Sequence, residues 1–217
     1  KAVFKNAELP IVPHITLFCS ELENLDNIFD KIMSKIGCPC FIKPANLGSS
    51  VGISKVTEMN QLAKALNYAA KFDIKIIVEK GIKAREIELS VLGNENVSVS
   101  TPGEIIPSKE FYDYEAKYND QNSQLIIPAP LPPETTKLLQ EYAIKAFKAV
   151  DAKGLGRVDF FVTEDQSIFV NEINTMPGFT QISMYPKLWE ASGLKYSDLL
   201  DELINLGFER FEQKKII

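Results

Sequence analysis

The sequence predicts an α+β fold of mainly antiparallel strands with helices packed on them. Three observations carry this. "CFIKP" (40–44) and "ISKV" (53–56) are short strands joined by one small-residue loop. "GRVDFFVT" (156–163) and "SIFVNE" (167–172) are joined by the polar turn "EDQ". "EIELSVLG" (86–93) alternates Ile87, Leu89 and Val91 against Glu86, Glu88 and Ser90, the period of a half-buried strand.

Taken in order, the elements follow from local signals. Ser20-x-x-Glu23 reads as a capping box. Leu25, Ile28, Phe29, Ile32 and Ile36 then recur at helical spacing, and Gly37 stops the run. Pro44 ends the next strand, and "ANLGSSVG" (45–52) is the hairpin loop. A helix is expected from about 58, with Met59, Leu62, Ala63 and Leu66 on its inner face. "IKIIVEK" (74–80) reads as a buried strand, and "VSVS" (97–100) as the partner of 86–93. Residues 107–124 show neither period, and a stretch of that length is usually a lid or a binding loop. "PPETTKLLQEYAIKAFKAV" (132–150) is a helix opened by proline, its stripe formed by Leu138, Leu139, Tyr142, Ala143, Ala146, Phe147 and Val150. Trp189 falls in a short apolar helix, and 197–211 forms a closing one. The expected subdomains are 1–80 and 81–217.

Composition narrows the class. With 217 residues, 45% hydrophobic, the chain can bury a substantial core. A net charge of −5 gives no basic face for nucleic acid. No apolar run reaches the roughly 18 residues a membrane span needs. Three cysteines without paired CxxC spacing fit reduced thiols in the cytoplasm, and Cys38-Pro39-Cys40 reads as packing at a strand entry. His14, the single histidine, reads as structural. The chain opens on Lys1, so further residues are expected before it.

Two groups of residues carry chemistry. Lys43 ends a strand just before the loop containing Gly48, Ser49, Ser50 and Gly52. Close backbone approach, N–H and hydroxyl donors and a nearby cation suit phosphate oxygens. A plain hairpin tip with a surface lysine fits the residues equally. In "GRVDFF", alternation puts Arg157 and Asp159 on one face, and the paired strand brings Glu172 to its end with Asn174 two residues on. Two carboxylates and an amide oxygen are hard ligands of the kind Mg²⁺ takes beside phosphates. An ion pair of Arg157 with Asp159 or Glu172 is the structural alternative.

Four stretches in order, "KPANLGSSVGISKV", "FYDYEAKY", "GRVDFFV" and "NEINTMPGFTQISMYPKLW", resemble the D-alanine–D-alanine ligases of the ATP-grasp superfamily. The resemblance covers essentially the whole chain. It implies two lobes of mainly antiparallel sheet with ATP held between them, and joining of two D-alanines through an acyl phosphate. It implies that Lys43 and Ser50 meet the phosphates and Ser49 the substrates. Glu79, Lys80 and Ile82 would read adenine, and Glu86 the ribose. Lys117 and Tyr118 would close over the γ-phosphate and the substrates. Asp159, Glu172 and Asn174 would hold two Mg²⁺ ions, with Mn²⁺ as a substitute. Arg157 and the Gly178 N–H would stabilise charge on the reacting carboxyl, and Ser183 and Met184 would lie beside the second substrate. A homodimer is implied for the full-length protein, whose N-terminal domain this chain lacks. D-Ala–D-Ser and D-Ala–D-Lac ligases are the near alternatives, and "YEAKY" speaks for D-alanine over D-lactate. A non-catalytic nucleotide-binding module is the alternative of another class, and such a module should have lost Arg157 or a metal ligand.

Overall fold

The computed structural model describes residues 1–48, 50–106 and 124–215. The described residues form two compact units, one of residues 12–83 and one of residues 1–11, 84–106 and 124–215.

The smaller unit is a four-stranded antiparallel sheet under two helices. Its strands are β1 (His14–Phe18), β2 (Cys40–Pro44), β3 (Ser54–Val56) and β4 (Lys75–Lys80), in spatial order β1-β4-β2-β3. Helices α2 (Leu25–Lys35) and α3 (Leu62–Ala69) cover one face. Ile28 and Ile32 of α2, Leu62 and Leu66 of α3, and Leu17, Ile42, Ile76 and Val78 from the strands form this unit's core. The expected 40–44/53–56 hairpin pairs as Cys40 opposite Val56 and Ile42 opposite Ser54.

The larger unit carries a six-stranded antiparallel sheet. Helix α1 (Ala2–Asn6) leads into its core through Phe4. Strands β5 (Arg85–Gly93), β7 (Gly103–Ile106), β8 (Gln124–Ile126), β9 (Gly154–Val162) and β10 (Ile168–Asn174) run in the order β10-β9-β5-β7-β8, and β6 (Val97–Val99) pairs with β5. Ile87, Leu89 and Val91 of β5, with Val158, Phe160 and Val162 of β9, pack against Leu139, Ala143 and Phe147 of α4 (Pro133–Ala149). A separate cluster joins Leu92, Tyr185 and Trp189 of α5 (Met184–Ala191), and Leu199 of α6 (Tyr196–Lys214).

Several expectations change. The cap of α2 is Asn24, whose Oδ1 accepts from Asn27 N at 3.4 Å, whereas Ser20–Glu23 lie in a 3₁₀ turn. There Glu21 takes the Phe18 N–H at 2.7 Å. Met59 is 44% exposed because a 3₁₀ turn, not the helix, holds it. Leu138 is likewise outside the α4 stripe. Strands β1, β7 and β8 lie outside the expected elements: Pro10 and Pro13 stand just before the first, and the other two are only four and three residues long. The division expected at 80/81 falls between β4 and β5, but residues 1–11 pack with the larger unit: Pro10 O accepts the Val170 N–H at 2.8 Å. His14 rests on Val12 O at 3.2 Å, as a structural histidine does.

Candidate active site

The larger unit gathers the acidic residues in a two-row grid on one face of its sheet. Strand β9 lies between β5 and β10. Asp159 sits opposite Glu88 on β5 and Glu172 on β10, and Arg157 opposite Ser90 and Asn174. The first row is thus Glu88–Asp159–Glu172 and the second Ser90–Arg157–Asn174. Register partners share a face, so all six project on the side away from Val158 and Phe160.

Strict alternation would not have produced this. Val170 packs in the core, so two residues on Glu172 should point inward as well. The register slips between Val170 and Glu172: Val170 faces Phe160, yet Glu172 faces Asp159, the very next residue along. Asn171 is the extra residue of a β-bulge, a device that re-aims side chains beside functional sites. The Lys1 ammonium donates to the Asn171 carbonyl at 3.4 Å.

Arg157 is the hub. Its Nε and Nη2 donate to the two carboxylate oxygens of Asp159, both at 2.7 Å. Glu88 Oε2 lies 3.0 Å from the same Nε. Burial alone would push the guanidinium pKa down. The Asp159 hydrogen bonds, and the charges of Asp159, Glu88 and Glu172, override burial and hold it above its ordinary value. The ion pair of Arg157 with Asp159 is therefore formed, with the oxygens of Glu172 and Asn174 at the neighbouring register positions. Asp159, Glu172 and Asn174 fit a hard divalent cation in donor chemistry. Among the described residues no three His, Cys, Asp and Glu side chains form a metal cage, so phosphate and water would have to complete the shell.

Beyond β10 the chain turns. Asn174 Oδ1 accepts from Met176 N at 3.1 Å. Ser183 Oγ accepts the Thr180 N–H at 3.1 Å, and a Cβ on Gly178 would stand only 3.0 Å from the same Oγ. Gly178 and Ser183 are thereby neighbours, with Gly178 exposed. Met184 is buried, its sulfur close to Gly103. Arg85 fixes the start of β5 beside exposed Glu86: its Nε and Nη2 reach Glu104 at 2.8 and 2.7 Å, and Nη1 donates to Pro130 O.

In the smaller unit Lys43 and Glu79, on neighbouring strands, form an ion pair. Glu79 is 2% exposed, and the Lys43 ammonium lies 6.0 Å from the Phe41 ring centre. The Lys80 N–H donates to Pro13 O at 2.9 Å and Gly81 N–H to Pro39 O at 2.8 Å, which fixes the chain leading to half-buried Ile82. The glycine-rich loop is anchored at both ends. Asp73 Oδ2 accepts from Asn46 N and Nδ2, each at 2.8 Å. The bond from Lys75 N, and after it those from Asn46, hold the Asp73 carboxyl below its ordinary pKa. At the other end Gly52 has φ +75°, and a Cβ there would meet Phe72 at 2.7 Å and Pro44 at 2.9 Å. Ser50 adopts φ +59°. Ser49, Lys117 and Tyr118 lie outside the described residues.

Glu88 was read from the sequence only as the outward position of a half-buried strand. Its burial, 5% exposed, and its register opposite Asp159 are tertiary facts.

Comparisons with known proteins agree on one family. A family model described as the C-terminus of D-ala D-ala ligase matches residues 3–205. The D-alanine–D-alanine ligase of Heliobacterium modesticaldum is 50% identical over 217 residues, which are 99% of this chain and 59% of that protein. That of a Thermoanaerobacter species is 55% identical over 216 residues, 99% of this chain and 60% of the relative. Among solved structures, the D-alanine–D-alanine ligase of Coxiella burnetii superimposes with a TM-score of 0.86 at 39% identity, covering 99% of this chain and 57% of that one. The VanG D-Ala:D-Ser ligase of Enterococcus faecalis gives 0.85 at 36%, covering 94% and 59%. The chain spans about 60% of the length of the curated relatives it matches.

Proposed function

The chain belongs to the D-alanine–D-alanine ligase family, and from that premise we propose that it works in ATP-dependent joining of two D-alanines for peptidoglycan precursors. The observation that carries the reading is the grid of Asp159, Glu172 and Asn174 around Arg157. Four substituents converge there that phosphoryl transfer to a carboxylate requires: anionic and amide oxygens for a hard cation, and a fixed guanidinium for developing charge. A non-catalytic module would have no need to keep all four.

In this reaction the terminal phosphoryl group of ATP passes to the carboxylate of the first D-alanine, giving an acyl phosphate and ADP. The amine of the second D-alanine attacks the acyl carbon and loses a proton, and phosphate leaves. Lys43 lends its charge to the ATP phosphates, and the anchored loop around Ser50 covers them with backbone donors. Glu79, with the backbone of Lys80 and Ile82, reads the adenine, and Glu86 the ribose. Arg157 and the Gly178 N–H face the oxygen on which charge builds. Ser183 borders the second substrate, and Met184 backs it from the core. Ser49, Lys117 and Tyr118 complete the proposal as substrate and phosphate contacts. Two Mg²⁺ ions, or Mn²⁺ in their place, would be held by Asp159, Glu172 and Asn174 and would neutralise charge on the phosphates. A cytoplasmic homodimer is part of the same proposal. No described helix is long and apolar enough to cross a membrane.

The test is an assay of the whole gene product with Mg·ATP and a mixture of D-alanine, D-serine and D-lactate. D-Alanyl-D-alanine should dominate by mass spectrometry, with one phosphate released per dipeptide. A product dominated by D-alanyl-D-serine would move the reading to the neighbouring specificity. ATP binding with no ligation in any mixture would favour the non-catalytic alternative.

A further inference from the structure

Glu88 has no role in the reaction described so far, yet its side chain is 7% exposed at the β5 end of the grid. Burying a carboxylate is costly unless it is paired. Its pairing is peculiar. Arg157 Nε gives its single hydrogen to Asp159 Oδ1 at 2.7 Å, and Glu88 Oε2 lies 3.0 Å from the same nitrogen without a hydrogen bond to it. Asp159 already gives the guanidinium a two-pronged partner, which by itself would neutralise Arg157. A second buried carboxylate thus stands beside a guanidinium that Asp159 already engages, placed to hold it if Asp159 is drawn away. A divalent cation at Asp159 would compete for the same oxygens, and Arg157, whose side chain is only 14% exposed, would lose its partner.

We propose that Glu88 is a positioning residue that takes over the Arg157 guanidinium when Asp159 coordinates a divalent cation. Asp159 and Glu88 reach Arg157 from adjacent strands in exact register, so the exchange needs a small rotation of one side chain and no backbone change. The arrangement keeps Arg157 aimed at the reacting group in both states. It also keeps the guanidinium from repelling the cation, because a negative charge stays beside it throughout. The inference rests on the reading of Asp159 as a metal ligand.

The Arg157 Nε–H resonance is followed in the ¹⁵N-labelled whole gene product. The Arg157 signal is identified by its disappearance in Arg157→Lys. Spectra are recorded without metal, and with MgCl₂ plus an ATP analogue carrying an imido bridge between its terminal phosphates. In the wild type the Arg157 signal should shift on adding Mg²⁺ and remain slow to exchange. In Glu88→Gln it should match the wild type without metal, and with Mg²⁺ its hydrogen exchange should accelerate at least about tenfold as protection is lost. Glu88→Asp keeps the charge on a shorter arm and should fall between. It carries the comparison alone should Glu88→Gln fail to give a cooperative melt. A residue that merely supported the fold would alter both spectra, with and without metal. Equal protection in wild type and Glu88 variants with Mg²⁺ bound overturns the proposal while leaving the metal reading intact. The metal reading is judged separately by titration with Mn²⁺. If Mn²⁺ fails to broaden the wild-type Arg157 signal, or binds Asp159→Asn as tightly as the wild type, that reading falls and the proposal falls with it.

Discussion

At the scale of the residue, the site depends on the fork of Arg157 more than on its charge. Arg157→Lys keeps a cation but cannot donate in parallel to Asp159. Turnover of the whole gene product should fall by roughly 10²–10³, the loss typical of removing one preorganised donor at developing charge. Retention of more than a tenth of wild-type turnover in a phosphate-release assay would show that position 157 supplies charge alone. Cys40 offers a pH test. Burial first, then the neighbouring Cys38, push its thiol from an ordinary 9.0 up to about 12. The neutral form is favoured in the folded chain, so this stability is complete below 9.0 and is lost as pH rises toward 12. Wild type should therefore lose more stability than Cys40→Ala between pH 8 and pH 11 in urea melts. Equal losses would contradict the burial argument. Arg157, Asp159 and Lys43 were legible in the sequence because alternation and strand ends place them. Glu88 was not, because whether the second face of β5 meets solvent or other side chains is decided by distant segments.

At the scale of the element, the glycine-rich loop is held by residues remote from it in sequence. Phe72 leaves no room for a Cβ at position 52, and φ there is +75°. Gly52→Ala should cost at least about 1–2 kcal/mol from the backbone conformation alone, with a further penalty from the clash. Chemical denaturation measures it, and a change under about 0.5 kcal/mol, the usual range of surface substitutions, would mean that the loop relaxes freely. Asp73→Ala releases Asn46 at the loop's start. Amide exchange over residues 45–52 should accelerate, with the strands β1 and β4 unaffected. The loop itself was readable from its small residues, and so was its hairpin. Its anchors were not, since Phe72 and Asp73 follow α3 and reach the loop only through the fold. The start of α2 shows a different failure. Ser20-x-x-Glu23 reads as the cap, but the chain completes a 3₁₀ turn there first and Asn24 caps the helix.

At the scale of the whole molecule, each unit has its own core. Ile42 is fully buried in the smaller one and Leu89 in the larger. Each truncation to alanine should cost about 2–5 kcal/mol. Native-state hydrogen exchange distinguishes them: Ile42→Ala should loosen β2 and β4, and Leu89→Ala should loosen β5 and β9. Uniform loosening of both sheets by either variant would show that the cores unfold together. The antiparallel α+β character was legible because the hairpins and the alternating β5 are local patterns. The assignment of residues 1–11 to the larger unit was not, because it depends on Phe4 and Leu9 finding a core whose other members begin at residue 87.

The bulge at Asn171 can also be described as a phase slip. Read with period two, β10 runs half a period out of step after Val170, and the extra residue restores the phase of everything downstream. Two single-residue deletions, two positions apart, should therefore behave as opposites. Loss of Asn171 leaves Val170 on the core face and Glu172 and Asn174 on the other, so the strand becomes regular and the chain should still melt cooperatively. Loss of Ile173 keeps Glu172 in place but drives Asn174 into the apolar face and removes a residue packed on the core. That variant should lose its cooperative transition or melt far lower. If the order of the two melting temperatures were reversed, position 171 would be setting the aim of Glu172 and not merely keeping the count.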